Sequence, residues 1–175
     1  MTSFTGLWKR KNFHFTQDYY AQAKPEILDC LESGQFERRN VKVGDFIYAV
    51  STNDNGELLL IGKIQIGKIV SSPKEVKKIL GLAYEVYEGE KEDQYIAYAI
   101  AKFGTLMQFD TIIPYAIAKS LRFVTQKGLT TLTFQPGTKQ LDGQTLRTMR
   151  VLSPESIIKL DKFLKSNLSQ VVWHT

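Results

Sequence analysis

One β-hairpin signal in the middle of the chain constrains the fold more than any other sequence feature. Residues 45–51 are rich in aromatic and β-branched side chains, and residues 58–70 form a long apolar stretch. Between them, residues 53–56 are NDNG, the Asn-Gly chemistry of the tight turns that join antiparallel strands. Because glycines inside a strand commonly mark bulges or bends, Gly62 and Gly67 predict a curved second strand. The rest of the chain must pack around this bent hairpin.

Shorter elements are predicted on both sides of the hairpin. Strands are favoured at 3–9, 93–103, 128–134 and 146–151, and residues 115–124 are ambiguous between helix and strand. Capping residues and apolar spacing predict helices at 16–23, 25–32, 72–81 and 153–168. The last of these has Ser153 as its N-cap and an apolar stripe of Ile157, Leu160, Leu164 and Leu168.

Domain organisation follows from what lies between these elements. No linker and no internal repeat divides the 175 residues, so we expect a single domain over residues 1–175. Strands mixed with a few short helices predict the α+β class, as a small mixed β-barrel flanked by short helices.

The cysteine count and the hydrophobic pattern indicate where such a chain works. Cys30 is the one cysteine, which excludes an internal disulfide framework and favours a reducing, cytoplasmic setting. We interpret Cys30 as a small buried residue rather than a nucleophile. No stretch approaches the roughly 18 apolar residues of a membrane span, and the charged start does not resemble a signal peptide. We therefore expect no membrane partner.

Most enzyme classes have catalytic residues at a recognisable spacing in the sequence, and the common motifs of this kind are missing from the chain. The chain has no glycine-rich phosphate loop, and His14 and His174 are isolated from other metal ligands. The acids within residues 85–93 are interpreted as a solvated loop. The sequence thus predicts no catalytic residue, no metal and no cofactor. A metal-dependent nuclease stays open only if scattered carboxylates converge in space, for example Asp45, Glu57 and Asp110.

The net charge of +5 is concentrated in one part of the chain. Residues 1–109 hold 14 basic and 14 acidic side chains, whereas residues 110–175 hold 9 and 4. A basic surface of this kind suits a polyanion such as nucleic acid, although a solvated basic face is the alternative interpretation.

The hairpin, with its flanks, resembles a known superfamily. The segment VKVGDFIYAVST at 41–52, the strand LLLIGKIQIGKIV at 58–70 and the aromatic N-terminal stretch around Trp8 are similar to the PUA-like superfamily, particularly its EVE and YTH-like branches. The resemblance implies a curved β-barrel that binds nucleic acid and holds a flipped or splayed base, modified bases included, in a pocket. Gly44 and Asp45 match the turn that introduces the first strand of the hairpin.

The resemblance and the residue chemistry together nominate a set of site residues. Stacking on aromatic rings and hydrogen bonds from short polar side chains are the means by which proteins hold a single base. The predicted base-binding residues are Trp8, Asn12, Tyr48, Ser51, Thr52 and Asn53. Phosphate contacts, which position the nucleic acid, are expected from Lys9, Arg10, Lys119, Arg122 and Arg147.

Each of these residues also has a structural interpretation. Trp8 and Tyr48 suit a core, and residues 51–53 suit the first half of the hairpin turn. The leading functional hypothesis is a DNA- or RNA-binding module without enzymatic activity. The alternative is a regulatory barrel that binds a small molecule or a protein and has no nucleic-acid activity.

Overall fold

A single mixed β-sheet organises the molecule. The computed structural model describes residues 1–8, 27–80, 96–167 and 171–173. Its strands are β1 Ser3–Leu7, β2 Cys30–Ser33, β3 Phe46–Thr52, β4 Leu58–Val70, β5 Ala97–Thr105, β6 Phe123–Thr125, β7 Gly128–Thr130, β8 Arg150–Leu152 and β9 Val171–Trp173. Its helices are α1 Pro73–Leu80, α2 Tyr115–Ser120 and α3 Pro154–Asn167. The α+β class predicted from the sequence is confirmed.

The strand order shows that the sheet is open. The hydrogen-bonded path runs β2-β5-β4-β3-β1-β8-β6-β7. Strand β9 lies off this path and pairs with β5. Among the strand pairs of the described residues, β1 and β3 run parallel and the others are antiparallel. Among the described residues no ladder joins β2 to β7, so the predicted closed barrel is corrected to an open sheet. The two end strands contain four and three residues, which leaves little backbone for a closing ladder.

The predicted hairpin is confirmed, and it is curved where the glycines indicated. The pairing of β3 with β4 shifts register between Ala49 and Val50, and Ala49 lies opposite Gly62. The pairing of β4 with β5 passes over Gly67 between Ile66 and Lys68. A bulge adds an unpaired residue to one strand and bends it, so β4 changes direction at these two points.

One predicted helix is wrong. The segment 25–32 was expected to be helical from Pro25 at its start and Gly34 after its end, but Ile27 forms a β-bridge with Leu106. From Cys30 onward the chain is β2, which pairs antiparallel with β5. Burial of Cys30 outweighs the local capping signals, since Cys30 is 0 % exposed and belongs to a core cluster with Val70 of β4 and Val76 of α1. Its burial first, and then nearby acids, raise the pKa of the thiol, as expected of a structural cysteine.

The other helix predictions that fall on described residues are confirmed. Ser72 caps α1, because its hydroxyl accepts a hydrogen bond from Lys74 N at 3.2 Å. Ser153 caps α3 by accepting from Ser156 N at 3.3 Å. The ambiguous stretch 115–124 contains both α2 and the start of β6. The predicted helix at 16–23 lies outside the described residues.

The sheet is covered on both faces by separate cores. On one face, Tyr48, Val50 and Leu60 pack with Leu160 of α3. That cluster also contains buried residues of the segment between β7 and β8, namely Leu132, Leu141 and Leu146. On the opposite face, Ile47 and Ala49 pack with Phe4, Leu28, Phe36 and Met149. None of the helices within the described residues is long and apolar enough to cross a membrane.

We predict that Gly104→Ala destabilises the fold strongly, because a Cβ there would overlap the carbonyl oxygen of Leu28 and lie 3.0 Å from the Ile27 side chain. Backbone atoms of a paired segment cannot move aside, so we expect a loss of about 3 kcal/mol or more in the free energy of unfolding. Gly143→Ala is the matched control, since a Cβ there has nothing within 4 Å, and it should stay within about 0.5 kcal/mol. Urea unfolding measures both, and equal losses would contradict the prediction.

Candidate nucleic-acid interface

The structure separates the residues that were predicted to line one base pocket. Tyr48 and Ser51 are three apart on β3, so their side chains point to opposite faces of the sheet. Tyr48 belongs to the core beneath α3, whereas Trp8 packs against the core on the other face. Both Tyr48 and Ser51 are 0 % exposed. Within the described residues, Tyr48 therefore presents no exposed ring face for stacking at this end of β3.

The polar residues after β3 are occupied by local hydrogen bonds. The hydroxyl of Ser51 donates to the carbonyl oxygen of Trp8 at 2.9 Å, which fixes the end of β1 beside β3. The side-chain oxygen of Asn53 accepts from the Asn55 and Glu57 amides at 3.0 and 2.9 Å, and its amide donates to the Glu57 carboxylate at 2.8 Å. These hydrogen bonds are those of a tight turn, which agrees with the interpretation of residues 51–53 as the first half of the hairpin turn. Thr52 is half-buried beside them, and Asn12 lies outside the described residues.

Tyr48 is the buried member of a partly exposed polar cluster that the sequence did not indicate; the side chains of Lys63 and Asp161 are 18% and 36% exposed. Its hydroxyl donates to Asp161 Oδ1 at 2.6 Å, and Lys63 Nζ donates to the same oxygen at 2.6 Å. The Lys63 ammonium also lies 4.6 Å from the centroid of the Phe46 ring and 4.8 Å from that of Tyr48. Burial first, and then the bond to Asp161, raise the pKa of the Tyr48 phenol well above its usual range. The cluster ties α3 to the central hairpin.

An aromatic ring flanked by lysines lies on the C-terminal third of the chain. Tyr115 packs edge-to-face on Phe134, with ring centroids 5.0 Å apart and planes at 76°. Lys119 Nζ lies 5.7 Å and Lys139 Nζ 5.9 Å from the Tyr115 centroid. Both lysines are exposed and the two rings are half-buried. We call these four residues the Tyr115 platform.

The remaining predicted phosphate contacts differ in availability. Arg122 is half-buried, and its Nη1 donates to the carbonyl oxygens of Lys119 and Leu121 at 3.1 and 3.3 Å. Arg147 is exposed. Lys9 and Arg10 lie outside the described residues. The structure thus brings Lys119 and Arg122 together, and these predicted contacts remain predictions.

A second basic feature is a pocket of about 400 Å³ beside β6, β7 and β8. Arg39 and Arg150 both line it, together with five threonines and the carboxylate-bearing Asp142. Burial, and then the nearby Arg39 charge, lower the pKa of Arg150. We call this cavity the arginine pocket. The sequence did not indicate it, because Arg39 and Arg150 are 111 positions apart and only tertiary contacts bring them together.

The three carboxylates considered for metal chemistry show no convergence. The Asp45 carboxylate is buried and accepts backbone bonds from Thr2 N and Lys42 N at 2.7 and 2.9 Å. Glu57 is bound to Asn53 in the hairpin turn, and Asp110 is exposed. Within the described residues no group of three or more His, Cys, Asp or Glu side chains could hold a metal ion.

No family model and no curated protein matches the chain. The chain is similar to the crystal structure of ASCH from Zymomonas mobilis, at 15% identity and a TM-score of 0.39, over 98% of this chain and 99% of that one. Two mutant forms of the same protein match at 13% identity and a TM-score of 0.38, over 93% and 92% of this chain and 98% and 95% of those. The resemblance to the PUA-like superfamily, and to its EVE and YTH-like branches, stays a prediction.

We predict that Tyr48→Phe removes an alkaline loss of stability. In the unfolded chain a tyrosine loses its proton near pH 10, about its ordinary pKa, whereas the raised pKa keeps the buried Tyr48 protonated in the folded state. Stability is therefore fully present below about pH 10 and falls above it, by up to about 1.4 kcal/mol per pH unit from this group. Urea unfolding of both proteins between about pH 8 and pH 11 measures the difference. Equal slopes of unfolding free energy against pH would contradict the prediction.

Proposed function

We propose that this protein binds single-stranded DNA or RNA through the Tyr115 platform, as a binding module of PUA-like type. The observation that carries the proposal is a half-buried aromatic ring with two exposed lysine ammonium groups within 6 Å of its centroid. An aromatic face of this kind stacks on a base for about 1 to 3 kcal/mol once the two ammonium groups, which lie over the ring, move aside to neutralise the adjoining phosphates.

The charge distribution supports the same surface. The whole charge excess of the chain lies in residues 110–175, which include Tyr115, Lys119 and Lys139. The resemblance placed the base contact at the end of β3, but Tyr48 and Ser51 are buried there. We therefore propose the Tyr115 ring as the base contact. Recognition of a modified base would then depend on groups around this ring.

One observation favours the alternative of a regulatory domain that binds a small molecule. The arginine pocket has about 400 Å³, within the roughly 300–1,000 Å³ of small-ligand sites. Under this alternative the domain has no nucleic-acid activity, and Lys119 and Lys139 contribute to solubility only.

We predict that the double variant Lys119→Ala/Lys139→Ala weakens oligonucleotide binding and its salt dependence. Each lysine that neutralises a phosphate of a single strand contributes about 0.7 to the slope of log affinity against log salt, so the loss of two should lower that slope by about 1.4. Fluorescence anisotropy with labelled strands of about 12 nucleotides, DNA and RNA, at about 50 and 200 mM salt measures it.

The matched control is Lys68→Ala/Lys74→Ala, which removes two exposed lysines of β4 and α1, outside the platform. It should leave the slope within error of the wild type. No oligonucleotide binding at the lower salt, or the same loss in both double variants, would overturn the proposed function.

A further inference from the structure

The arginine pocket holds two guanidinium groups. Arg150 and Arg39 both line the pocket, and within the described residues neither forms an ion pair. Two unpaired like charges in a partly desolvated site raise the free energy of the empty pocket, and an anion placed between them removes that cost. Burial first, and then the Arg39 charge, lower the pKa of Arg150, in the direction expected for such a site.

Arg150 is fixed in place before any ligand arrives. Its Nη2 donates to Thr130 Oγ1 at 2.7 Å, and its Nη1 donates to the carbonyl oxygen of Thr131 at 3.2 Å and to Thr145 at 3.4 Å. The guanidinium carbon lies 4.2 Å from the centroid of the Phe123 ring. A cation held by neutral oxygens and a ring keeps its full charge for a ligand, and little side-chain entropy is lost on binding.

Arg39 is brought to the same pocket by one glutamine. Gln35 donates from Nε2 to the carbonyl oxygen of Arg147 at 3.1 Å and accepts at Oε1 from Met149 N at 2.9 Å. Gln35 O also accepts from Arg39 N at 2.9 Å, so the turn that carries Arg39 is attached to the strand that carries Arg150. The Arg39 Nε is buried and has no hydrogen-bond partner among the described residues. A buried donor without an acceptor raises the free energy of the site.

The other polar groups of the pocket suit oxygen atoms of a ligand. Thr130 Oγ1 accepts from Arg150 and Thr145 Oγ1 accepts from Thr133 N at 2.9 Å, which leaves the hydrogen of each hydroxyl for another acceptor. Asp142 is the acidic side chain in the lining, and its Oδ1 accepts from Gln144 N at 2.9 Å. Two arginines against one carboxylate give the lining a net positive charge.

We propose that the arginine pocket binds a phosphate monoester, with Arg39 and Arg150 as its charged contacts and threonine hydroxyls as further donors. A phosphate monoester carries about −1.5 to −2 charge near neutral pH and offers three acceptor oxygens, which matches two guanidinium groups and adjoining hydroxyls better than a carboxylate does. The source of the phosphate is either the end of a nucleic-acid strand, which rests on the proposed function, or a free phosphorylated small molecule.

The first test is calorimetric titration of the full chain with 5′-AMP, adenosine and inorganic phosphate. We expect 5′-AMP to bind about tenfold or more tightly than adenosine, because the charged contacts are made to the phosphate. Arg39→Gln should weaken both 5′-AMP and inorganic phosphate about tenfold or more. The matched control is Arg38→Gln, which makes the same charge change at the exposed neighbour outside the pocket and should leave both affinities unchanged.

A second variant moves affinity in the opposite direction. Asp142→Asn keeps the side-chain oxygen that accepts from Gln144 N and removes the negative charge, so inorganic phosphate should bind several-fold more tightly. Circular dichroism and thermal unfolding confirm that each variant is folded. Equal affinity for 5′-AMP and adenosine, or equal effects of Arg39→Gln and Arg38→Gln, would overturn the proposal, as would unchanged phosphate affinity in Asp142→Asn.

The two sources of the phosphate are distinguished with oligonucleotides that carry a 5′-phosphate, a 3′-phosphate or only hydroxyl ends. A phosphorylated end that binds more tightly in the wild type but not in Arg39→Gln assigns the pocket to a nucleic-acid end. Equal binding of all strands, with 5′-AMP still dependent on Arg39, assigns it to a free phosphorylated molecule. If no strand binds at all, the proposed function fails, while the 5′-AMP titration still decides the pocket.

Discussion

The attachment of α3 to the central hairpin is the interaction on which the rest of the structure depends. Asp161 Oδ1 accepts hydrogen bonds from both Tyr48 and Lys63, so one carboxylate joins the closing helix to β3 and β4. Its Lys63 partner has an 18% exposed side chain, and the Tyr48 ring is completely buried. Bonds to a partly buried charge have a strict geometry, which fixes where α3 lies along the sheet as apolar packing alone would not.

The segments that form the candidate surfaces rest on that helix. Leu160, Phe163 and Leu164 of α3 pack in the same core as Leu132, Leu141 and Leu146 from the long connection between β7 and β8. The backbone at Arg122 also bonds to α3, with its amide donating to Ser156 Oγ at 2.7 Å and its carbonyl accepting from Ser153 N at 3.0 Å. The connection thus has a buried side that anchors it and an outer side that is free to carry polar groups.

One short ribbon in this connection links the two candidate surfaces. Phe134 forms an isolated bridge with Leu141, and next to it Asp142 N donates to the Thr133 carbonyl at 2.9 Å. Phe134 supports the ring of Tyr115, whereas Thr133 and Asp142 line the arginine pocket. Neighbouring residues of an extended ribbon point in opposite directions, so a ribbon of this kind supplies side chains to both surfaces. A strand of nucleic acid that stacks on Tyr115 would therefore have the pocket on the other side of the same ribbon.

The sequence by itself determined the curved hairpin, its NDNG turn, the caps of α1 and α3 and the buried character of Cys30, because each depends on local backbone chemistry or on a periodicity within one segment. It also located the charge excess that includes Lys119. Tertiary structure decided the rest. Packing against β5 made residues 30–33 a strand, opposite pleat directions separated Tyr48 from Ser51, and strand pairing brought Arg39 beside Arg150. These outcomes depend on contacts between residues far apart in the chain, and no local pattern encodes which distant segment will be the neighbour.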